Sequence, residues 1–260
     1  MGSPMFRQLR AAEIADSIAL LRRYKPSGDV LEIGAGTGWQ SAALNAAGYR
    51  VQAIDLPGTN EISNHARSRE WDIRDYDGSH IPLPDQSVDV IYSSNVLEHV
   101  EDLETLTAEM RRVLRPGGVA LHLLPNRLWR ALSLATYYPA QVIDGARWLV
   151  NGRQASGASS ASPSPPPAPK RLLKKAVGRL MPHAHGARGS AISELQLFSK
   201  SSWDRYFHGS GWDVLYYGDN GILASGDYIL GRWLPLWVRR QIGRFLGGIA
   251  HVYVVRSSAG

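Results

Sequence analysis

The chain has 260 residues, 44% hydrophobic and 20% charged, which suits one large α/β domain with a packed core and excludes global disorder. It contains no cysteine, so disulfides, thiolate zinc sites and cysteine nucleophiles are excluded, and a reducing compartment suits it. The net charge of +6 is unevenly spread: residues up to Ala146 carry 14 Lys/Arg against 18 Asp/Glu, those from Arg147 onward 15 against 5. Such a basic second half is suited either to plain solvation or to an anionic surface or substrate.

In chain order, Met1 to Pro4 reads as a cloning remnant, and Phe6 to Tyr24 then has the apolar period of a helix, with Leu9, Ile14, Ile18 and Leu21 on one side. Asp29 to Ile33 is a short buried strand that runs into Gly34-Ala35-Gly36-Thr37-Gly38. A helix follows to about Ala47 and ends at Gly48, and Arg50 to Ile54 is a second strand closing on Asp55. Trp71 to Ile73, Val88 to Tyr92 and Val119 to Leu124 are predicted strands, with a helix from about Glu101 to Leu114 ending at Arg115-Pro116-Gly117-Gly118. Alternating strands and helices predict a parallel sheet covered on both faces.

Beyond Pro125 the pattern loosens. Asn126 to Val150 reads as two helices broken at Pro139, and residues 151–169 as a flexible Pro/Ser/Ala-rich insertion. Residues 5–150 and 170–260 are therefore expected to form a single domain. In its last part, a helix over Ser199 to Gly209, a strand over Trp212 to Tyr217, a helix over Leu234 to Leu246 and a strand over Ala250 to Val255 complete the sheet. No apolar run approaches the roughly 18–20 residues of a spanning helix. No charged leader precedes an apolar stretch either, so a cytoplasmic location is expected.

The glycine segment is a strand, a tight turn and a helix start. Glycines let the backbone approach a ligand where a Cβ would collide. Asp55, at the end of the next strand, is placed to accept hydrogen bonds from a ribose diol. The spacing is G-x-G-x-G rather than the dinucleotide G-x-G-x-x-G, and Glu32 precedes it. A carboxylate there is a poor neighbour for a diphosphate and suits a ligand with an amino group and a sulfonium.

Together with Ile54-Asp55-Leu56, Ile81-Pro82-Leu83-Pro84-Asp85, Asn95-Val96-Leu97-Glu98-His99-Val100 and Val113-Leu114-Arg115-Pro116-Gly117-Gly118, the segment Leu31 to Gly38 resembles class I S-adenosylmethionine-dependent methyltransferases of the small-molecule type. The resemblance covers Val30 to Leu124 well and the remainder poorly. It implies a Rossmann-like, seven-stranded, mostly parallel sheet with helices on both faces and an antiparallel last strand, and S-adenosylmethionine as cofactor. It also implies that Gly34, Gly36 and Gly38 line the methionine and ribose portion, that Asp55 with Leu56 meets the ribose, and that Asp77 with Gly78 meets the adenine. Glu32 would order the loop or reach the amino group through water, and Asn95 would sit where the donor opens to the acceptor. Asp75 is the alternative adenine contact, and Asp89 and the Arg115 turn are read as architecture.

Methyl transfer needs alignment more than proton chemistry, with proximity accounting for roughly 7–11 kcal/mol of such a barrier. Where the acceptor must lose a proton, His99 is the candidate base, the alternative being a packing role. Some relatives in the quinone-biosynthesis and small-RNA groups hold a divalent ion on Glu-x-x-Glu-His. Here Asn95 replaces the first Glu ahead of Glu98 and His99, so no metal is expected, with His183 or His185 as conceivable extra ligands. The stretch Met181 to Ser190 could close over the donor as an acceptor-site loop or be a plain exposed connection. Lys170 to Leu180 and Arg232 to Leu246 are basic and amphipathic, and could touch the inner face of a membrane or pack as ordinary core helices. Nucleic acid is disfavoured as a partner, because no RNA-binding module accompanies these stretches.

The expected function is methyl transfer to oxygen or nitrogen of a small-molecule, glycan or lipid-linked acceptor. The alternatives are a protein or nucleic-acid methyltransferase, a binding protein of this fold without turnover, or a nucleotide-dependent oxidoreductase, which the glycine spacing argues against.

Overall fold

Side-chain alternation along the strands assigns each apolar residue to one of two layers. In the computed structural model, which describes residues 4–57, 70–137, 184–187, 189–224 and 234–258, strand β1 (Asp29–Ile33) is an interior strand of a seven-stranded sheet. With β2 (Arg50–Asp55), β3 (Ile73–Asp75), β4 (Val88–Ser94), β5 (Leu114–Pro125), β6 (Trp212–Asp219) and β7 (Ala250–Ser257), the order is β3-β2-β1-β4-β5-β7-β6. The first five strands pair in parallel, and β7 runs antiparallel to both β5 and β6. The expected Rossmann-like architecture and its antiparallel last strand are both present.

Leu31, Ile33 and Ile91 point to one face, where Leu106, Met110 and Phe207 meet them from helices α3 (Leu103–Val113) and α4 (Lys200–Gly209). Val30, Val90 and Tyr92 point to the other, against Ile14 and Leu21 of α1 (Pro4–Leu21) and Leu44 of α2 (Trp39–Ala46). Full burial of each such side chain stabilises the fold by roughly 1.5–3 kcal/mol, which is what holds the helices to the sheet. Side-chain caps start two of these helices: Asp102 accepts from Thr105 N at 3.0 Å, and Ser199 from Ser202 N at 3.2 Å.

Some boundaries differ from the sequence reading. Helix α1 begins at Pro4, inside the stretch read as a remnant, since proline's fixed φ suits a first helical turn. Strand β3 sits two residues later than predicted, because Ile73 rather than Trp71 pairs with Ala53 of β2. Strand β5 starts at Leu114, which pairs with Val88, so the Arg115-Pro116-Gly117-Gly118 turn belongs to the strand as an irregularity in the β4 ladder. Helix is present over 127–137. Pro139, the 151–169 insertion, the basic Lys170–Leu180 segment and His183 lie outside the described residues.

Asp89 and Arg115 are architectural, as expected. At the amino end of the sheet Asp89 Oδ2 accepts from Asp29 N (2.9 Å) and from Arg115 Nη1 (2.8 Å). The chain leaves β1 toward β2 on one side and returns to β4 on the other. That reversal opens a crevice beyond the carboxyl ends of β1 and β4.

Candidate active site

The crevice is a cleft of about 950 Å³, walled by the glycine turn, the end of β4 and the start of the helix at 127–137, and covered by α1. Gly34 and Gly36 line it, at φ of +75° and +60°. A Cβ on Gly34 would run into Val96, whereas one on Gly36 would meet no atom within 4 Å. The first glycine is needed for packing. The second leaves open space along the cleft wall.

The turn is held from β2. Gly34 N and Ala35 N donate to Ile54 O at 2.9 and 3.2 Å. Gly36 N donates to Asp55 Oδ2 at 2.6 Å, and Leu56 N to Asp55 Oδ1 at 2.7 Å. Asp55 thus shapes the turn directly. It does not line the cleft, and neither do Leu56, Asp77 and Gly78. These four sit together beyond its edge: a Cβ on Gly78 would be 3.0 Å from Leu56 Cδ2. Asp77 accepts from Ser79 N (2.8 Å) and His80 N (2.7 Å), and these backbone hydrogen bonds hold its carboxyl below the usual range.

Two further residues stand outside the cleft. Gly38 (φ +82°) heads α2, where a Cβ would collide with Trp71. Glu32 is buried beneath the turn and accepts a hydrogen bond from Ser41 Oγ of α2, clamping β1 to that helix. Burial pushes its carboxyl up to about 7.

Asn95 ends β4 with φ +55°, a left-handed conformation in a residue with a side chain, and lines the cleft. Its N–H donates to Leu123 O at 2.9 Å, which fixes the bend that turns the chain inward. The following 3₁₀ turn, Leu97–His99, buries Glu98 and leaves His99 half-buried on the cleft wall. Burial lowers the His99 pKa, so its ring is neutral at neutral pH.

Spacing along the chain did not bring His185 to this place; tertiary packing does. His185 lines the cleft with ring centroids 4.7 Å from His99 and 4.6 Å from Trp129. Burial takes its pKa down to about 4. Its loop is fastened by His185 N and Gly186 N donating to Glu194 Oε1 (2.6 and 2.7 Å), and Arg130 pairs with the other oxygen of Glu194 (2.8 Å). Trp129 was missed by sequence reasoning, as were Thr37, Gln40 and Arg10. Trp129 could have been found only by noticing that it falls one helical turn beyond the end of β5.

Comparison with known proteins agrees with this geometry. Residues 31–122 match a family of methyltransferase domains. Over that stretch the chain is similar to class I methyltransferase domains. The chain is 40% identical over 100 residues to a probable S-adenosylmethionine-dependent methyltransferase of Mycolicibacterium smegmatis, covering 38% of this chain and 39% of that protein. It is 35% identical over 124 residues to a malonyl-[acyl-carrier protein] O-methyltransferase of Serratia marcescens, covering 43% and 48% respectively. The chain therefore spans less than half the length of the curated relatives it matches. An S-adenosylmethionine-dependent methyltransferase from Mesorhizobium loti superposes with a TM-score of 0.52 over 95% of this chain and 99% of that one, at 15% identity, and so shares the fold. The methyl donor named for the Mycolicibacterium and Mesorhizobium proteins is S-adenosylmethionine.

Glu32 gives the fold a pH signature. A carboxyl near 7 in the folded state against 4.5 otherwise binds its proton more tightly when folded. Its contribution is therefore complete below about pH 4.5 and is lost as pH rises through about 7, each unit of difference being about 1.4 kcal/mol. Chemical denaturation at pH 5 and pH 8 should show Glu32→Gln losing less stability between the two than the parent. Parallel pH profiles would remove this role from Glu32.

Proposed function

We propose that the chain transfers a methyl group from S-adenosylmethionine to an oxygen or nitrogen atom of a small-molecule, glycan or lipid-linked acceptor. The observation that carries this reading is the single continuous cleft, with the Gly34–Gly36 turn at one end and Trp129, His99 and His185 at the other. When bound, the donor supplies an electrophilic methyl group whose bonding pair returns to sulfur as the new bond forms. The glycine turn and Asn95 hold the methionine half, while Asp55 with Leu56 and Asp77 with Gly78 receive the ribose and adenine beyond the cleft edge. Trp129 offers a flat apolar wall that excludes water from the acceptor. The neutral rings of His99 and His185 present nitrogen lone pairs to it, His99 being placed to take up a proton from the acceptor.

The O-methyl transfer named for the Serratia relative supports an oxygen acceptor here. A lipid-linked acceptor is supported by helix α5 (Leu236–Leu246), on which Trp237 and Phe245 are 68% and 88% exposed. Arg239 of that helix, read from sequence as part of a charged face, is buried and donates to Leu234 O (2.8 Å) and Leu223 O (3.0 Å). Among the described residues no helix is long and apolar enough to cross a membrane.

Isothermal titration with S-adenosylhomocysteine tests the donor site, and methyl-group release assayed across hydroxylated, carboxylated and amine acceptors tests the rest. His99→Ala should lower turnover by roughly 10²–10⁴-fold while nucleoside affinity stays as it was. Unchanged turnover in that variant would take His99 out of the chemistry.

A further inference from the structure

Beneath the acceptor end of the cleft lies a side-chain cluster that methyl transfer alone leaves unexplained. Glu98 is buried, and neither of its carboxylate oxygens has a hydrogen-bond partner. A buried carboxyl group with neither oxygen hydrogen-bonded forfeits roughly 1–3 kcal/mol whether or not it is ionised, and a partner there would recover it. Facing Glu98 Oε1 are His99 Nε2 at 3.8 Å and His185 Nε2 at 3.9 Å. One potential ligand atom from each of the three residues lies within 4.8 Å of the other two.

These separations decide what the partner is. They exceed the roughly 3.2 Å limit of a hydrogen bond, so the carboxylate and the imidazoles do not satisfy one another directly. Two ligands each about 2.1 Å from one tetrahedral ion stand about 3.4 Å apart, a few tenths of an ångström less than the two carboxylate–imidazole separations, and rotation of the two imidazole rings would bring all three atoms in. The position of His185 is fixed before any ion arrives. Ala187 N donates to Glu98 O at 2.9 Å, and a Cβ on Gly186 would approach that same oxygen to 2.7 Å, so the histidine loop is docked on the Glu98 turn at a distance only glycine allows.

We propose that Glu98, His99 and His185 form a binding site for a first-row divalent cation of the zinc type. Two imidazoles and one carboxylate are the donor set of a borderline metal rather than of magnesium or calcium, which take all-oxygen shells. Since His99 and His185 both line the cleft, the remaining coordination positions open toward the acceptor. An acceptor oxygen bound there would ionise more readily, and His99 would act as a ligand in place of acting as a base. That role rests on the methyl-transfer reading, whereas ion binding itself does not. The sequence disfavoured a metal because Asn95 stands where a carboxylate was needed. His185, which reaches Glu98 and His99 only through folding, makes up the set.

The test uses the full chain dialysed against a chelator and then titrated with zinc(II) or cobalt(II). Heat is measured for both ions and visible absorption for cobalt, with S-adenosylhomocysteine binding followed on the same samples. One ion per chain is expected, with the intense cobalt bands of a low-coordinate nitrogen and oxygen site. His185→Ala and Glu98→Gln should each weaken binding by at least about tenfold. Should Glu98→Gln fail to fold, His99→Ala, altered at a half-exposed position, carries the same expectation. Folding is checked by melting in chelator, where variants should match the parent but gain nothing from zinc. No ion uptake by parent protein that still binds the nucleoside would overturn the site and point to a bridging water. Variants that bind zinc as the parent does would overturn it equally, by placing the ion elsewhere. Loss of nucleoside binding with ion uptake intact would count against methyl transfer and in favour of the site.

Discussion

Asp55→Ala is expected to abolish measurable binding of S-adenosylhomocysteine, a fall of at least about hundredfold, or 2.7 kcal/mol. Two effects act together. The carboxylate accepts from Gly36 N at 2.6 Å and from Leu56 N at 2.7 Å, so its removal frees the turn that forms the cleft wall. It is also the group proposed to meet the ribose hydroxyls. Hydrogen bonds to a charged group contribute roughly 1.5–3 kcal/mol each, so losing two of them already accounts for the predicted fall. Asp55→Asn separates the effects. It keeps an acceptor oxygen for one backbone N–H but loses the charge, and should bind with intermediate affinity. Calorimetric titration of both variants decides the matter: an alanine variant that still binds within threefold of the parent would show that the turn holds its shape without Asp55 and that the sugar is gripped elsewhere.

The second large effect concerns folding rather than binding. Gly38→Ala should destabilise the protein by about 2–5 kcal/mol, which is a large share of the stability of an ordinary domain. At φ +82° an alanine meets the left-handed penalty, and its methyl group would collide with Trp71 Cβ and come within 3.1 Å of Trp71 N. A side chain could swing aside, but a backbone nitrogen joined to β3 cannot without disturbing the sheet edge. Gly36→Ala provides the contrast, having a similar φ and no atom within 4 Å of the added methyl. It should cost only the left-handed penalty of roughly 1–2 kcal/mol while narrowing the donor side of the cleft. Urea denaturation of the two variants, paired with nucleoside titration of Gly36→Ala, measures both halves of the argument. Equal stability losses would mean that the contact with Trp71 is relieved by local movement.

The different fates of the predicted site residues follow from how far each signal reaches along the chain. Gly34, Gly36 and Asn95 were legible because a backbone that turns sharply at the end of a buried strand leaves a local mark: glycines at positive φ, or asparagine, which tolerates it. Asp55 was legible because a carboxylate one residue past an apolar run must emerge at the strand end. Glu32 was ambiguous for a definite reason. On a two-residue period it could face the ligand or α2, and only the packing of Ser41 against it, nine positions along, settles the direction. The β3 boundary slipped because Trp71 is as good a strand former as Ile73, and pairing with Ala53 decides between them.

What the amino-acid order determined by itself is the parallel α/β layering and the glycine turn opening toward the crevice, since both depend on side-chain period and on the conformations a few residues permit. The meeting of Glu98, His99, Trp129 and His185 was decided only by the tertiary structure. Eighty-six positions separate His99 from His185, and no periodicity spans such a gap. They come together because Glu194, itself buried against Arg130, accepts the backbone hydrogen bonds of the histidine loop, and because Gly186 has no side chain to keep that loop away from Glu98.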